Sequence, residues 1–482
     1  MRKSLAAMSL LAIISMTWFA CKTSRNFKPI RLDENTEKEN LFPEYRPNEI
    51  LVFYKNGPSP SQQLTIKTAV SKSGVDTTAL TIRKCNDCDP YVELWQGSNI
   101  HTVISGGGGI TAGSGGKTKG VGEDSIAYYS VNYLSEIPEG NPRRQDQQQQ
   151  PKFDPAGIKP PPTGVGKDTI TIAILDTGID TALWVSGATL WVNNDKNDGA
   201  DEDNNCYKDD TNGWNFVANN NNIKDDNSTL HGSIIAQYIV NEFSHSTKNF
   251  VQLMVLKTHD NLGRGDLFTS LCAINYAASK GANIINASWG FYYYYDSPHP
   301  VLSDIISTSL ASKGILFLAA AGNKTVESDN EAKAIYQQLH PGQTFPDNLL
   351  RNLEYHSFYP AVLSKPAANV ITVTTNSNDT VSSTQNYSSQ FVDLGILTDS
   401  IDPTAGMTFR APFPGNENRL VRGSSFATAI ATGKIGAFLE KSAYVPGINK
   451  LNCFSALSSI INTSNSLRNR NLIGDGRYMK RE

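Results

Sequence analysis

Residues 169–175 read Thr-Ile-Thr-Ile-Ala-Ile-Leu, apolar at most positions, as a strand buried on both faces should be. Similar runs recur at 250–256, 314–321 and 369–373, with a shorter one at 283–286. Between them the apolar period lengthens to that of a helix. Leu267, Leu271, Ile274 and Ala278 share one helical face behind Asp266, whose carboxylate suits an N-cap. Leu302, Ile305, Ile306 and Leu310 mark another helix. A third runs from Ser425 through Ile430, Ala431, Ile435 and Phe438; it is small or apolar nearly all round, which predicts a central, buried helix. The alternation predicts an α/β fold, a doubly wound and mostly parallel sheet with helices on both faces. Sites in such sheets gather at the C-terminal ends of the strands. Ahead of this region, β-rich runs at 49–54 and 91–95 flank a helical stretch at 62–72, predicting a small N-terminal α+β domain. The Gly-rich run 105–120 reads as a mobile loop.

The chain of 482 residues divides into four zones. Residues 1–20 read as an export signal: Arg2 and Lys3 precede an apolar stretch that is short for a bilayer span and ends at Ala20. The Ala20-Cys21 junction resembles the processing site of bacterial lipoproteins, where the new N-terminal Cys carries the lipid. Cys21 is therefore expected to anchor an exported protein to the cell envelope; simple signal cleavage and secretion is the second reading. Residues 21–138 form the small domain and 167–482 the main one. Residues 139–166 carry Arg143-Arg144, four consecutive Gln and Pro160-Pro161-Pro162, a composition that cannot bury a core and predicts an exposed linker.

Composition changes this picture little. The hydrophobic share is 39% and the charged share 18%, ordinary for a globular protein. The net charge of -3, without a long basic run, argues against nucleic acid as a partner. Cys85 and Cys88 have the spacing of a metal or redox pair. With no second Cys or His pair beside them, they are read as a local disulfide. Cys272 falls in the helix behind Asp266 and is read as a small core residue.

Four segments at strand ends or helix starts carry candidate chemistry: Asp176-Thr177-Gly178, His231-Gly232-Ser233, Ala321-Gly322-Asn323 and Gly423-Ser424-Ser425. Each has an ordinary explanation alone: a turn Asp, a structural His, a turn Asn and an N-cap Ser. Together, in the order Asp, His, Asn, Ser, they resemble the subtilisin-like serine peptidases over residues 170–433. Gly213-Trp214-Asn215-Phe216, Asn286-Ala287-Ser288-Trp289-Gly290 and Tyr359-Pro360-Ala361 resemble further segments of that family.

The resemblance implies a serine endopeptidase that hydrolyses peptide bonds through an acyl-enzyme and needs no cofactor for catalysis. Ser425 would attack the scissile carbonyl, His231 would carry its proton, and Asp176 would orient His231. Asn323 would stabilise the oxyanion, and Ser288, Trp289 and Gly290 would pair with substrate backbone and line the main specificity pocket. The small N-terminal domain would be a prosegment, cut within the linker, with the own prosegment and protein or peptide substrates as partners; an unrelated domain is the alternative. Maturation would then free the catalytic domain from a lipid at Cys21. Family members bind calcium through acidic loops, so Asp198, Asp201, Asp203, Asp209 and Asp210 are candidate ligands; a solvated acidic loop is the other reading.

The chain departs from the family at Ser233 and Ser424, where Thr is usual, and at Ala429, where Pro is common. It also carries an insertion over 324–357 with a helix expected at 330–338, and this insertion is expected to restrict substrate entry. The rivals are a non-catalytic relative of the same fold, against which the full set of four residues argues, and an α/β-hydrolase esterase. The esterase needs a Gly-x-Ser-x-Gly elbow, but position 427 is Ala.

Overall fold

The computed structural model describes residues 45–54, 57–72, 74–105, 127–137, 166–180, 190–294, 299–324, 326–377, 380–402, 406–412 and 420–481. The signal segment, Cys21, the Gly-rich run beyond 105 and nearly all of the linker lie outside the described residues. Among those described, no helix is long and apolar enough to cross a membrane.

The N-terminal unit comprises β1 (Tyr45–Tyr54), α1 (Pro60–Lys72), β2 (Thr81–Lys84), β3 (Val92–Gln96) and β4 (Ala127–Glu136). Its strands pair antiparallel in the order β2-β3-β1-β4. Side chains alternate across a strand. On one face Ile50, Val52 and Tyr54 pack with Ile66 and Val70 of α1 and with Trp95. On the other, Leu51, Phe53, Val92 and Leu94 share a core with Leu267, Phe268 and Leu271 of the main unit. This double burial accounts for the apolar run at 50–54.

The main unit holds β5 (Asp168–Asp176), β6 (Gly213–Asn215), α2 (His231–Phe243), β7 (Asn249–Lys257), β8 (Arg264–Asp266), α3 (Leu267–Ser279), β9 (Ile284–Ala287), β10 (Phe291–Tyr292), β11 (Leu316–Ala320), α4 (Val326–Leu339), β12 (Phe358–Tyr359), β13 (Val370–Ser377), β14 (Leu394–Leu397), α5 (Ser424–Phe438), β15 (Ile461–Thr463) and β16 (Arg477–Met479). The main sheet runs β15-β16-β14-β13-β11-β9-β5-β7-β6, parallel throughout except between β15 and β16. Ile170, Ile172 and Ile174 of β5 face α2 and α5, while Ala173 and Leu175 face α3. The expected doubly wound α/β fold is present. From β5 the chain moves to β7 on one side and returns to β9 on the other, so the C-terminal ends of β5 and β9 flank a crevice.

Several local expectations hold. Asp266 caps α3 by accepting from the Thr269 N–H at 2.9 Å. The helix expected around 302–310 is α over Pro300–Asp304 and π over Ile305–Leu310. The helix in the insertion is longer than expected, spanning Val326–Leu339.

The cysteine expectations fail. Cys85 pairs with Cys272 and Cys88 with Cys206, with Cα–Cα distances of 5.3 and 5.7 Å. The turn after β2 lies against α3 and the acidic loop, so each Cys meets a partner in the main unit rather than its neighbour. Cys272 is buried, as expected of a core position, but it is a cross-link. Cys453 is a buried free thiol.

Candidate active site

Asp176 ends β5 and is fully buried. Its Oδ1 accepts from the Thr177 N–H and lies 2.8 Å from His231 Nδ1. His231 is the first residue of α2. Leu230, at the N-cap, has left-handed dihedrals and offers no capping side chain. The helix start is held from elsewhere. The Asp225 carboxylate accepts from the Ser233 N–H and hydroxyl at 3.0 and 2.8 Å, and Thr177 Oγ1 accepts from the Gly232 N–H at 3.0 Å. Ser233 Oγ in turn accepts from the Asp180 N–H at 3.0 Å. A Cβ on Gly232 would stand 2.2 Å from the Gly178 carbonyl oxygen. Glycine beside His231 is therefore what lets α2 abut the Asp176 turn. Burial raises the pKa of the Asp225 carboxyl above its usual value, with the Ser233 hydrogen bonds opposing that shift.

Ser425 lies in the first turn of α5, behind Gly423 at φ 137°. Its hydroxyl donates to the Ser288 carbonyl at 3.3 Å, and the ring of the next residue, Phe426, lies 5.2 Å from the His231 ring. The nucleophile candidate, the His and the end of β9 thus meet at one place.

Asn323 follows β11. Its Oδ1 accepts from the Ser424 N–H and hydroxyl at 3.0 and 3.2 Å, and Ser424 Oγ accepts from the Gly322 N–H at 3.1 Å. With Oδ1 held on α5, the NH2 end is the donor Asn323 can offer to an anion. Ser424 keeps the hydroxyl this needs, so Ser for Thr there is conservative.

Ser288 is tied to α5 through side chains. Thr432 Oγ1 donates to Asn286 Oδ1 at 2.8 Å, Asn286 Nδ2 to Ser288 Oγ at 3.1 Å, and Ser288 Oγ to the Ser425 carbonyl at 3.1 Å. Trp289 is buried against the His259 ring. Gly290 faces Phe358, whose ring atoms would lie 2.4 Å from a Cβ at Gly290 and 2.8 Å from one at Gly322. Phe358 therefore fills the space between the extended segment 288–290 and the Asn323 turn.

The groove beside this segment is occupied by β4. Leu134, Ser135 and Glu136 pair antiparallel with Asp266, Gly265 and Arg264. The Ile137 N–H donates to the Gly263 carbonyl at 2.9 Å, and the Glu136 N–H to the Gly290 carbonyl at 3.4 Å. Ser135 Oγ is 3.1 Å from His259 Nε2.

The acidic loop divides. Asp203 and Asp210 converge with Asp195, their nearest carboxylate oxygens all within 4.8 Å. Asp195 Oδ2 is buried without a hydrogen-bond partner, and burial with the adjacent Asp210 carboxylate pushes the Asp195 carboxyl up to about 6. Lys280 pairs with Asp203. Asp198, Asp201 and Asp209 stand apart. Asp209 Oδ1 accepts from the N–H groups of Asp198 and Gly199, Asp201 from those of Asn205 and Cys206, and Asp198 Oδ1 from Ala200.

Sequence reasoning missed Asp195, Asp225 and Phe358. Asp225 shows itself only once α2 is seen to lack a cap at Leu230. Asp195 and Phe358 carry no local signal; their partners are remote in sequence.

Comparison with known proteins fits this geometry. The profile of the subtilase family matches residues 167–470. Subtilisin-like protease 1 of Plasmodium falciparum (isolate 3D7) is 31% identical over 247 residues, covering 48% of this chain and 31% of that protein. The protease of the same name from Plasmodium berghei is 30% identical over 215 residues, covering 43% and 32%. The chain thus spans about a third of the length of these relatives. Among solved structures, the epidermin leader peptide processing serine protease of Staphylococcus aureus aligns at a TM-score of 0.48 and 15% identity, covering 90% of this chain and 96% of that one. With the profile covering more than half of its length, and with the Asp, His, Asn and Ser motifs falling inside the match, the chain belongs to the subtilase family.

Proposed function

We propose that this chain is an exported serine endopeptidase, made as a precursor, in which Asp176, His231 and Ser425 form the catalytic triad. The observation that carries the reading is the convergence of His231 on Asp176 at 2.8 Å beside Ser425, with Asn323 held on the neighbouring Ser424. With Nδ1–H directed to Asp176, the other ring nitrogen of His231 takes the Ser425 proton as Oγ attacks the carbonyl. The imidazolium formed is stabilised by Asp176 and returns the proton to the leaving amine. Asn323 Nδ2 and the Ser425 N–H at the start of α5 would hold the oxyanion, where fixed donors act without reorganising.

Extended peptide is the substrate class, bound between 288–290 and β8 by main-chain hydrogen bonds. The Phe358 ring leaves room for only a small side chain at P1, the residue whose carbonyl is attacked. β4 already occupies that groove, which supports the N-terminal unit as an inhibitory prosegment and the linker as the place of cleavage. Export and a lipid at Cys21 rest on the sequence alone.

Asp195, Asp203 and Asp210 are all-oxygen donors with one buried oxygen unsatisfied, and they fit a hard divalent cation such as calcium. Bound there, it would neutralise converging carboxylates and brace the loop; it has no part in the chemistry.

The test is Ser425→Ala. Casein and peptide hydrolysis and labelling by a fluorophosphonate should vanish while the melting temperature stays. Hydrolysis surviving in this variant would overturn the triad.

A further inference from the structure

We propose that cutting the linker does not separate the two units: the product is a two-chain protein held by Cys85–Cys272 and Cys88–Cys206, whose groove opens only after a dithiol reductant breaks both bridges. The proposal rests on the peptidase reading, but its covalent part can be tested without activity.

Both cysteines of the turn after β2 cross to the main unit, one to α3 and one to the acidic loop. Any cut beyond Ile137 leaves Cys85 and Cys88 on the N-terminal fragment and their partners on the other, so both bridges span the cut. The same interface has polar fasteners around its apolar centre. Asn86 Nδ2 donates to the Asn205 carbonyl at 3.0 Å, Asn275 Nδ2 to Asp89 Oδ2 at 3.0 Å, and the Phe268 N–H to Asn132 Oδ1 at 3.0 Å. The groove strand is the far end of this covalently held unit.

A free inhibitory fragment can be diluted away. A tethered one meets its groove at a local concentration near the millimolar range, however dilute the protein. Substrate must therefore displace a strand that cannot leave, and linker cleavage alone gives little activity.

The bridges are unequally protected. Cys88 is exposed and Cys206 half-buried, whereas Cys85 and Cys272 are 6% and 2% exposed. Thiol–disulfide exchange needs access to sulfur. A reductant thiolate attacks one sulfur, the other leaves as a thiolate that takes a proton from water, and the second reductant thiol resolves the mixed disulfide. The reductant departs as its own disulfide, a two-electron exchange at each bridge. Cys88–Cys206 opens first. Release follows the slower opening of Cys85–Cys272.

The test inserts a thrombin site after Gln150 in the Ser425→Ala chain, purified without reductant and cut, with the thrombin then removed. The expected result is one band on non-reducing electrophoresis and two bands after dithiothreitol, with alkylation mapping Cys88 and Cys206 as the first thiols to appear. Fragments that part without reductant overturn the tether. In the Ser425 protein, cut the same way, hydrolysis of a fluorogenic peptide should rise about tenfold or more as Cys85–Cys272 opens, since the tethered competitor is lost. A Cys206→Ser/Cys272→Ala variant should reach that rate on cutting alone. Full activity of the bridged two-chain protein, or no rise after both bridges open in protein that still labels with a fluorophosphonate, overturns the gating. Failure of Ser425 to label in any form sinks the peptidase reading instead, leaving the electrophoretic result to stand by itself.

Discussion

Phe358→Ala is expected to change which peptides are cut rather than whether peptides are cut. The ring touches both glycines that bound the space below the attacked residue, Gly290 and Gly322, and it is 6% exposed. Removing it opens that space to a larger P1 side chain. Burial of each added CH2 contributes ~0.8 kcal/mol, so the three extra carbons of Leu over Ala bring ~2.4 kcal/mol. At ~1.4 kcal/mol per factor of ten, the Leu-to-Ala ratio of kcat/KM should rise ~50-fold. Removing a buried Phe side chain costs about 3–5 kcal/mol when the hole stays empty, so the variant should melt lower and recover part of the loss when a peptide with Leu at P1 is bound. The assay is kcat/KM on peptides identical except at P1, with active protein counted by a fluorophosphonate and the groove strand released. An unchanged Leu-to-Ala ratio in protein that labels fully would show that Phe358 does not floor the pocket.

Thr432→Val should lower stability by about 1–3 kcal/mol, because it leaves the buried Asn286 Oδ1 without its donor; a melting temperature equal to wild type would refute that network. Acid should destabilise the folded chain. Burial holds His259 down at about 4 and His299 at about 3, against an ordinary value of 6.5, so below that value the unfolded chain binds protons that the folded one excludes. The contribution of these two residues is therefore full above about pH 6.5 and is lost as pH drops towards 4, by roughly 1.4 kcal/mol per pH unit for each His, while protonation of Asp195, held up at about 6, offsets part of it. Asp176 and Asp260 oppose part of the His259 shift, while His231 and Lys257 add to it. His259→Gln should make the acid slope in melting temperature shallower, and an unchanged slope would remove His259 as a cause. Calcium should raise the melting temperature and a chelator lower it, with the response lost in Asp195→Asn; a wild-type melt indifferent to calcium would exclude the cation.

The parallel sheet was legible because its strands are buried on both faces, which leaves continuous apolar runs such as 169–175. Asp176, His231, Asn323 and Ser425 stood out as candidates because each sits in a short motif whose small neighbours have mechanical reasons. Gly232 must pass the Gly178 carbonyl, and Ser424 must bond Asn323. What was not legible depends on contacts between remote segments. A Cys-x-x-Cys run suggests a local pair, yet its partners lie 187 and 118 residues onward, Cys85 to Cys272 and Cys88 to Cys206. Five aspartates close in sequence looked like one ligand set. Turn geometry engages Asp198, Asp201 and Asp209 with backbone N–H groups, and the carboxylates that converge are Asp195, Asp203 and Asp210.

The insertion over 324–357 looks different once its contacts are known. Gly290 is followed by Phe291, Tyr292, Tyr293 and Tyr294, whose rings fall alternately on two sides. Phe291 and Tyr293 contact Tyr133 of β4, with centroids 4.7 and 5.8 Å away. Tyr292 stacks on His356 at 4.1 Å and lies 4.4 Å from the Lys324 amine, while Tyr294 packs with Ala332, Ile335, Tyr336 and Phe345. Lys324 also contacts His356, and burial drives its amine well below the usual lysine range. The proposed substrate wall thus has the N-terminal unit on one side and the insertion on the other. If β4 leaves the groove, Phe291 and Tyr293 keep His299 and Tyr359, while Tyr292 and Tyr294 rest on the insertion. Deleting 324–357 would then strip Tyr294 of its core and loosen the wall itself. A changed cleavage profile in that deletion would therefore not show that the insertion screens substrates. Substitutions of its solvent-facing residues, which leave Tyr292 and Tyr294 packed, separate a screen from a strut.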